Sequence, residues 1–431
     1  MASSEFKNPS TVRNRPLRIL LLADSLPDPR SPDPQLRLKN IFVLRQARKL
    51  AQFHQVTHPV LVPRLAGAIR LAYRLRGRKL SFPSPRDETF EGIHCLTVRY
   101  TYLPRVYPSL KARALLRWLA ARRDNYDLVH CHTVYDLGLA GLELKRRLGL
   151  PLVVTVYGTD VNWLFEEVGG LKADARIEEA TRQVLNGADA MIAVSRALGK
   201  RVESLGVSAE KMHWIANGVE KELFYPGDKQ EERRKLGLGP REKIILYAGN
   251  ILETKGLGDL ARALKKLSRK GENRPGVRLV LVGPDGGYAA TLRDLAGELG
   301  VVERINFTGA KDYSEIPSYM RAADVFCLPS WREGWPCALN ESLACGLPVV
   351  ACGVGGIPEM LSGPELGIIC EPHDPQGLAE ALGAALARNW DAAKITEAAE
   401  PYSYDRLRLR YEEVYRVVLE GRNLDPSKNR A

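Results

Sequence analysis

Short apolar runs alternate with amphipathic segments of helical length along nearly all of the 431 residues. In the first half the runs are 18–23 (R-I-L-L-L-A), one opening at Val56, 128–132, 152–157 and 190–195, with helical segments such as 35–50 and 137–148 among them. After a polar stretch, 225–242, the pattern restarts with 244–248, 279–282, 304–308, 325–328 and 349–351. Such runs lack a polar face, so both sides of each strand must be covered. Strands joined by helical crossovers meet that demand as a parallel sheet with helices on both faces. The pattern predicts an α/β protein of two doubly wound, Rossmann-like domains. Ligands are expected in a cleft between them, at the carboxyl ends of the strands. The halves share this pattern without an internal sequence repeat.

The length suffices for two large cores. No apolar stretch is long enough to span a bilayer, and no apolar segment of signal-peptide type follows the N-terminus, so a cytoplasmic protein is expected. The seven cysteines show neither metal nor disulfide spacing; Cys327, Cys345 and Cys352 lie in apolar surroundings and read as core thiols. Charge is divided unevenly. Residues 1–150 hold 27 Lys and Arg against 11 Asp and Glu, a balance of +16, whereas the remainder balances at −4. Two stretches, 64–79 and 109–123, interleave basic with apolar residues. Each reads as a basic amphipathic helix, either packed with a solvated face or lying on anionic lipid.

Residues 330–358 read S-W-R-E-G-W-P-C-A-L-N-E-S-L-A-C-G-L-P-V-V-A-C-G-V-G-G-I-P. They predict a loop after a buried strand, a helix with Pro336 at its first position, a stop at Gly346, and a strand over 347–352. Glu333 in the loop and Glu341 in the helix bracket the helix's N-terminal turn. Its free N–H groups favour a phosphate, here those of Cys337, Ala338 and Leu339. Gly334 permits close backbone approach. Carboxylates on either side of a phosphate suit sugar hydroxyls and ribose hydroxyls, hence a sugar–diphosphate–ribose.

This stretch resembles the donor signature of glycosyltransferase family 4: E-x7-E, then A-C-G-x-P-V-V-A and G-G-x-P-E. Further segments resemble the family in its own order. They are T-V-Y-G-T-D-V-N at 155–162, A-N-G-V-E at 216–220, Y-A-G-N-I-L-E-T-K-G at 247–256, L-V-G-P-D-G at 281–286 and N-F-T-G at 306–309. The resemblance implies the GT-B fold. The expected divisions are a tail over 1–16, an acceptor domain over 17–222, a nucleotide-sugar domain over 223–400, and a final segment over 401–431 whose helix crosses back. It implies a retaining hexosyltransferase with a UDP- or GDP-hexose donor, no further cofactor and no metal. The acceptor would be a glycan or lipid-linked hydroxyl, in polysaccharide, glycolipid or cell-envelope synthesis, at the inner membrane face if the basic half binds anionic lipid. Nucleic acid is not an expected partner.

Carried over by position, Glu333 would contact the donor sugar and Glu341 the ribose. Lys255 would neutralise the leaving diphosphate; outside the motif it would read as a solvated turn residue. Gly249 and Asn250 would line the phosphates, with Asn250 standing where the family often has Arg. Gly283, Ala310 and Lys311 would lie near the base. Trp335 would stack on the sugar or pack inside. Tyr157 replaces a common His and can bond the sugar, but a phenol does not titrate near neutral pH. His132 would face the acceptor and His130 the core. Asp160 would act on the acceptor or cap the next helix. The Pro-rich segment 24–35 replaces the family's Gly-Gly loop. No Asp-x-Asp occurs to anchor a nucleotide-bound metal ion. Rival readings are a nucleotide-sugar epimerase of the same fold, a binding protein without catalysis, and a nucleic-acid binder using the basic half.

Overall fold

The computed structural model describes residues 15–24, 26–27, 40–65, 83–103, 106–120, 122, 125–162, 175–267 and 276–423. Most of the expected tail and of the Pro-rich segment therefore lies outside the described residues, as do residues 66–79 of the first basic stretch. The chain divides into two compact units, Met1–Ile215 with Leu407–Ala431, and Ala216–Arg406.

Unit 1 is built on eight strands: β1 (Arg18–Leu22), β2 (Gln55–Leu65), β3 (Glu88–Phe90), β4 (Ile93–Tyr102), β5 (Leu128–Cys131), β6 (Leu152–Val156), β7 (Ala190–Ala193) and β8 (Met212–Trp214). Their order is β3-β4-β2-β1-β5-β6-β7-β8, with only the β3–β4 pair antiparallel. The registers Leu22↔Cys131 and Cys131↔Val154 bring the carboxyl ends of β1, β5 and β6 to one edge. Chain order reverses between β1 and β5, so this edge holds a topological switch point. The final helix, Tyr404–Asn423, contributes Leu407, Tyr411, Val414, Tyr415 and Val418 to the same core as Ile19, Leu21 and Leu50. These positions repeat at helical spacing, and each such side chain removed from water contributes about 1.5–3 kcal/mol. His54 also bonds Glu412 at 2.9 Å, and the Arg408 guanidinium lies 3.9 Å from the Phe53 ring centroid.

Unit 2 has six parallel strands: β9 (Lys243–Ala248), β10 (Val277–Val282), β11 (Ile305–Gly309), β12 (Val325–Leu328), β13 (Val349–Cys352) and β14 (Gly367–Cys370). Their order is β11-β10-β9-β12-β13-β14, the dinucleotide-fold order. The reversal falls between β9 and β12, so the loops after these two strands flank the unit's switch point.

Three local expectations are corrected. Pro336 is the N-cap of the helix Cys337–Ala344, not its first residue. Its φ of −73° suits proline, but its ψ of 113° is extended, so helical geometry begins one residue later. The first basic stretch begins as strand, because Arg64 and Leu65 close β2 in register with Thr101 and Tyr102. In the second, the helix Tyr107–Leu119 turns Lys111 inward. That ammonium pairs with Asp136 and lies 5.5 and 5.3 Å from the ring centroids of Tyr100 and Tyr107, so it is no part of a solvated basic face. Arg113 and Arg117 remain exposed.

Candidate active site

In unit 2, the expected donor residues gather at the carboxyl edge of the sheet. Lys255 closes the short turn Glu253–Lys255 after β9, and Glu333 lies in the loop after β12. Trp331 N–H donates to the Thr254 carbonyl at 3.0 Å and joins these loops. Lys255 Nζ then reaches Glu333 Oε1 at 2.6 Å. The side chains are 25% and 10% exposed, so the pair is partly desolvated but open to a ligand. Behind it, Gly355 has φ 57°, and a Cβ there would stand 1.9 Å from the Glu333 carbonyl oxygen. Gly356 N–H donates to the Gly334 carbonyl at 3.0 Å. The G-V-G-G-I-P loop thus backs Glu333 at a distance that only glycine allows.

Glu341 sits in the second turn of the Cys337–Ala344 helix and is 6% exposed. Its Oε1 accepts the Tyr313 hydroxyl at 2.7 Å. The Tyr313 ring meets Phe224 edge-on at 5.3 Å, and burial, aided by the Glu341 charge, holds its phenol well above the ordinary range. Tyr313 is therefore a fixed donor that orients the carboxylate, a residue the sequence reading missed. Asn217 and Asn340 were missed too. Asn340 Nδ2 donates to the Asn217 carbonyl at 2.8 Å, and Asn217 Nδ2 to the Trp335 carbonyl at 3.1 Å, tying A-N-G-V-E to the helix start. The signal for Asn217 was its place in the matched motif. Tyr313 stood in no quoted motif.

Gly283 has φ 147°, and a Cβ on it would lie 2.0 Å from the Gly249 carbonyl oxygen, so the turns after β9 and β10 touch backbone to backbone. Asn250 is exposed next to them, and its carbonyl accepts the Tyr247 hydroxyl at 2.7 Å. Ala310 and Lys311 follow β11 on the same edge. Two donor-side expectations change. Trp335 is 4% exposed with its ring 5.1 Å from Tyr402, so its side chain packs inside rather than offering a face to a sugar. Leu339 N–H donates to the Pro336 carbonyl at 3.2 Å, an intrahelical bond that occupies one of the three amides expected to hold phosphate. Those of Cys337 and Ala338 stand at the helix entrance.

In unit 1, the end of β5 carries two buried imidazoles, and the end of β6 beside it carries hydroxyl partners for them. His130 is 0% exposed and bonds the Tyr415 hydroxyl at 2.8 Å and Thr155 Oγ1 at 2.7 Å. Burial lowers it to about 3, so it is a neutral core residue. His132 Nδ1 and the Tyr157 hydroxyl are 2.6 Å apart. Burial, with His130 and His58 close by, keeps His132 well below its ordinary range. Tyr157 is half-buried and packs on Phe42 at 4.9 Å. Asp160 Oδ1 accepts the N–H groups of Tyr157 at 3.0 Å and Gly158 at 2.9 Å. This is turn capping. Burial raises Asp160 to about 6 despite these bonds. Among the described residues no group of three or more His, Cys, Asp or Glu is placed to hold a metal ion.

Known proteins resemble this chain in sequence as well as fold. Residues 40–223 match Glycosyltransferase Family 4, and residues 228–401 match Glycosyl transferases group 1. The D-inositol 3-phosphate glycosyltransferase of Acidothermus cellulolyticus is 31% identical over 369 residues, 80% of this chain and 77% of that protein. The chain belongs to glycosyltransferase family 4. As a family 4 glycosyltransferase it has the GT-B fold. The sucrose-phosphate synthase of Thermosynechococcus elongatus superimposes with a TM-score of 0.73 at 23% identity, covering 95% of this chain and 100% of the other. Anabaena HepE in complex with UDP-glucose gives 0.66 at 19% identity, with coverages of 92% and 98%. In this glycosyltransferase, Lys255, Glu333 and Glu341 lie within the segment that matches Glycosyl transferases group 1.

Proposed function

We propose that the enzyme transfers a hexose from a UDP-hexose to an acceptor hydroxyl with retention of configuration. The observation carrying this reading is the cluster at the unit 2 switch point: the Lys255–Glu333 pair, the entrance of the Cys337–Ala344 helix, and Glu341 held by Tyr313. The diphosphate would lie at Lys255 and the amides of Cys337 and Ala338, the ribose at Glu341, and the hexose at Glu333. As the bond from C1 to the diphosphate breaks, negative charge grows on the leaving oxygen, and the ammonium favours that state over the ground state. Glu333 shares its carboxylate with Lys255, which makes it a hydroxyl acceptor rather than a free nucleophile. The acceptor would attack on the face the diphosphate leaves and pass its proton to the departing phosphate. Uridine is favoured over guanosine by the UDP-glucose complex of HepE.

On the acceptor side, His132 and Tyr157 present a neutral hydrogen-bonding pair suited to a hydroxyl group. Arg113, Arg117 and Arg122 are exposed, with Leu103 and Val106 nearby at 42% and 49%. They support weak attachment to an anionic lipid surface carrying the acceptor. No helix among the described residues is long and apolar enough to cross a membrane.

A thermal-shift panel of UDP- and GDP-hexoses, followed by product analysis, tests the reading. A true donor at about a thousandfold excess over its Kd should stabilise the enzyme by roughly 4 kcal/mol. Product analysis should show sugar transferred with its anomeric configuration kept. Conversion of donor alone into its epimer would support the epimerase instead. Binding to anionic but not neutral vesicles, lost at high salt, would support lipid attachment.

A further inference from the structure

β13 and β14 are neighbours in parallel register, with Cys352 opposite Cys370. Neighbouring strands lie about 4.8 Å apart, within the Cα separation that a disulfide spans. The two sulfurs already face each other at 4.0 Å. β14 is an edge strand, so its thiol can be reached; Cys370 is half-buried whereas Cys352 is 2% exposed. Their present contacts are weak: Cys352 Sγ points at the Glu371 carbonyl at 3.7 Å, and Cys370 Sγ at the Ala351 carbonyl at 3.6 Å. None of the other five has a sulfur facing it: Cys327 is buried on β12 close to this pair but makes no sulfur–sulfur contact with it, Cys95, Cys131 and Cys345 are buried elsewhere, and Cys337 begins its helix.

We propose that Cys352 and Cys370 are a redox modification site, a dithiol that hydrogen peroxide closes into a disulfide. The Cys370 thiolate attacks the peroxide, leaving sulfenic acid and a hydroxide that takes up the proton the thiol released, which gives one water. The Cys352 thiol then condenses with the sulfenic acid, forming the S–S bond and releasing a second water. Two electrons pass from the thiols to peroxide and no other reactant is needed. Cys370, on the edge strand and the more exposed of the two, is the attacking group.

The site is coupled to the loop behind Glu333. Cys352 is the last residue of β13, and Gly353 N–H donates to the Cys370 carbonyl at 2.9 Å. Two residues on, Gly355 lies against the Glu333 carbonyl, and Gly356 bonds Gly334. The strands already lie within the span of a disulfide, so closing the sulfurs from 4.0 Å to about 2.05 Å turns the two side chains and ties the end of β13 to the edge strand. The glycine loop that starts at Gly353 is thereby anchored more firmly behind Glu333.

The test treats the folded, full-length chain with hydrogen peroxide, then counts thiols after denaturation and maps the peptides. The seven thiols should fall by two, with a link between Cys352 and Cys370 that dithiothreitol reverses. Cys352→Ser and Cys370→Ser should each form no internal link. Seven free thiols after treatment, or a link elsewhere, would overturn the assignment. Amide exchange at 353–357 and 333–334 should slow on the order of tenfold on oxidation of the wild type. Unchanged exchange in a linked protein would overturn the coupling. Neither readout uses a nucleotide sugar, so failure of the donor reading would leave both results interpretable.

Discussion

Each unit has a sheet whose chain order reverses beside its first strand, yet the residues at the two strand ends are in opposite electrical states. At the end of β5 in unit 1 stand His130 and His132, neutral and bonded to hydroxyls. At β9 and β12 of unit 2 stand an ammonium and a carboxylate bonded to each other. Burial and partners make the difference. An imidazole removed from water with no carboxylate beside it gives up its proton. Lys255 and Glu333 instead keep some exposure and meet at 2.6 Å as an ion pair. The same fold thus offers a neutral edge suited to a hydroxyl and a charged edge suited to a diphosphate.

The largest way to break this contrast is Lys255→Ala. If the ammonium acts on the leaving diphosphate, turnover should fall about 10²–10³-fold with a much smaller change in donor KM. A raised KM at unchanged kcat would reduce Lys255 to a binding group.

Acid should separate the units next. Six of the seven histidines lie in unit 1. Burial, opposed by the bond to the Leu21 carbonyl, lowers His58 to about 4, and burial lowers His130 to about 3, from 6.5. A depressed imidazole gives stability that is whole above 6.5 and lost as pH falls toward the folded value. Asp160 works the other way, since its pKa rises from 3.8 to about 6 and its contribution is lost as pH climbs through 6. The imidazoles outnumber it, so unit 1 should lose roughly 3 kcal/mol between pH 6.5 and pH 4. Amide exchange in β1, β5 and β6 should quicken before that in β9, β10 and β12. Equal acceleration in both sheets would erase the contrast.

Smaller effects sharpen the charged side. Glu341→Ala should weaken UDP binding by roughly 1.5–3 kcal/mol in calorimetry, and should also lower thermal stability, because it removes the acceptor of the buried Tyr313 hydroxyl. Tyr313→Phe should cost about 0.5–1.5 kcal/mol of the same binding, and nothing further once Glu341 is gone. Additive losses would mean that Tyr313 does not act through Glu341.

Much of this was legible in the residues. The fully apolar runs that became β1, β5, β6, β9, β12 and β13 have one structural solution, and the E-x7-E spacing located Glu333 and Glu341. β4 escaped because its burial alternates near a sheet edge, so I-H-C-L-T-V-R-Y-T-Y has no continuous apolar run. The inward turn of Lys111 escaped because its partner, Asp136, is 25 residues away. Tyr313 escaped likewise, since its bond to Glu341 spans 28 residues and is set by packing on Phe224. Trp335 could be read either way until Tyr402 was found against it.

The most direct test is hydrogen exchange of the wild type with and without a saturating UDP-hexose. Protection should centre on the unit 2 strand-end loops, 249–256, 283–286 and 330–341. Protection confined to 130–132 and 157–160 of unit 1, with the unit 2 loops unchanged, would contradict the account.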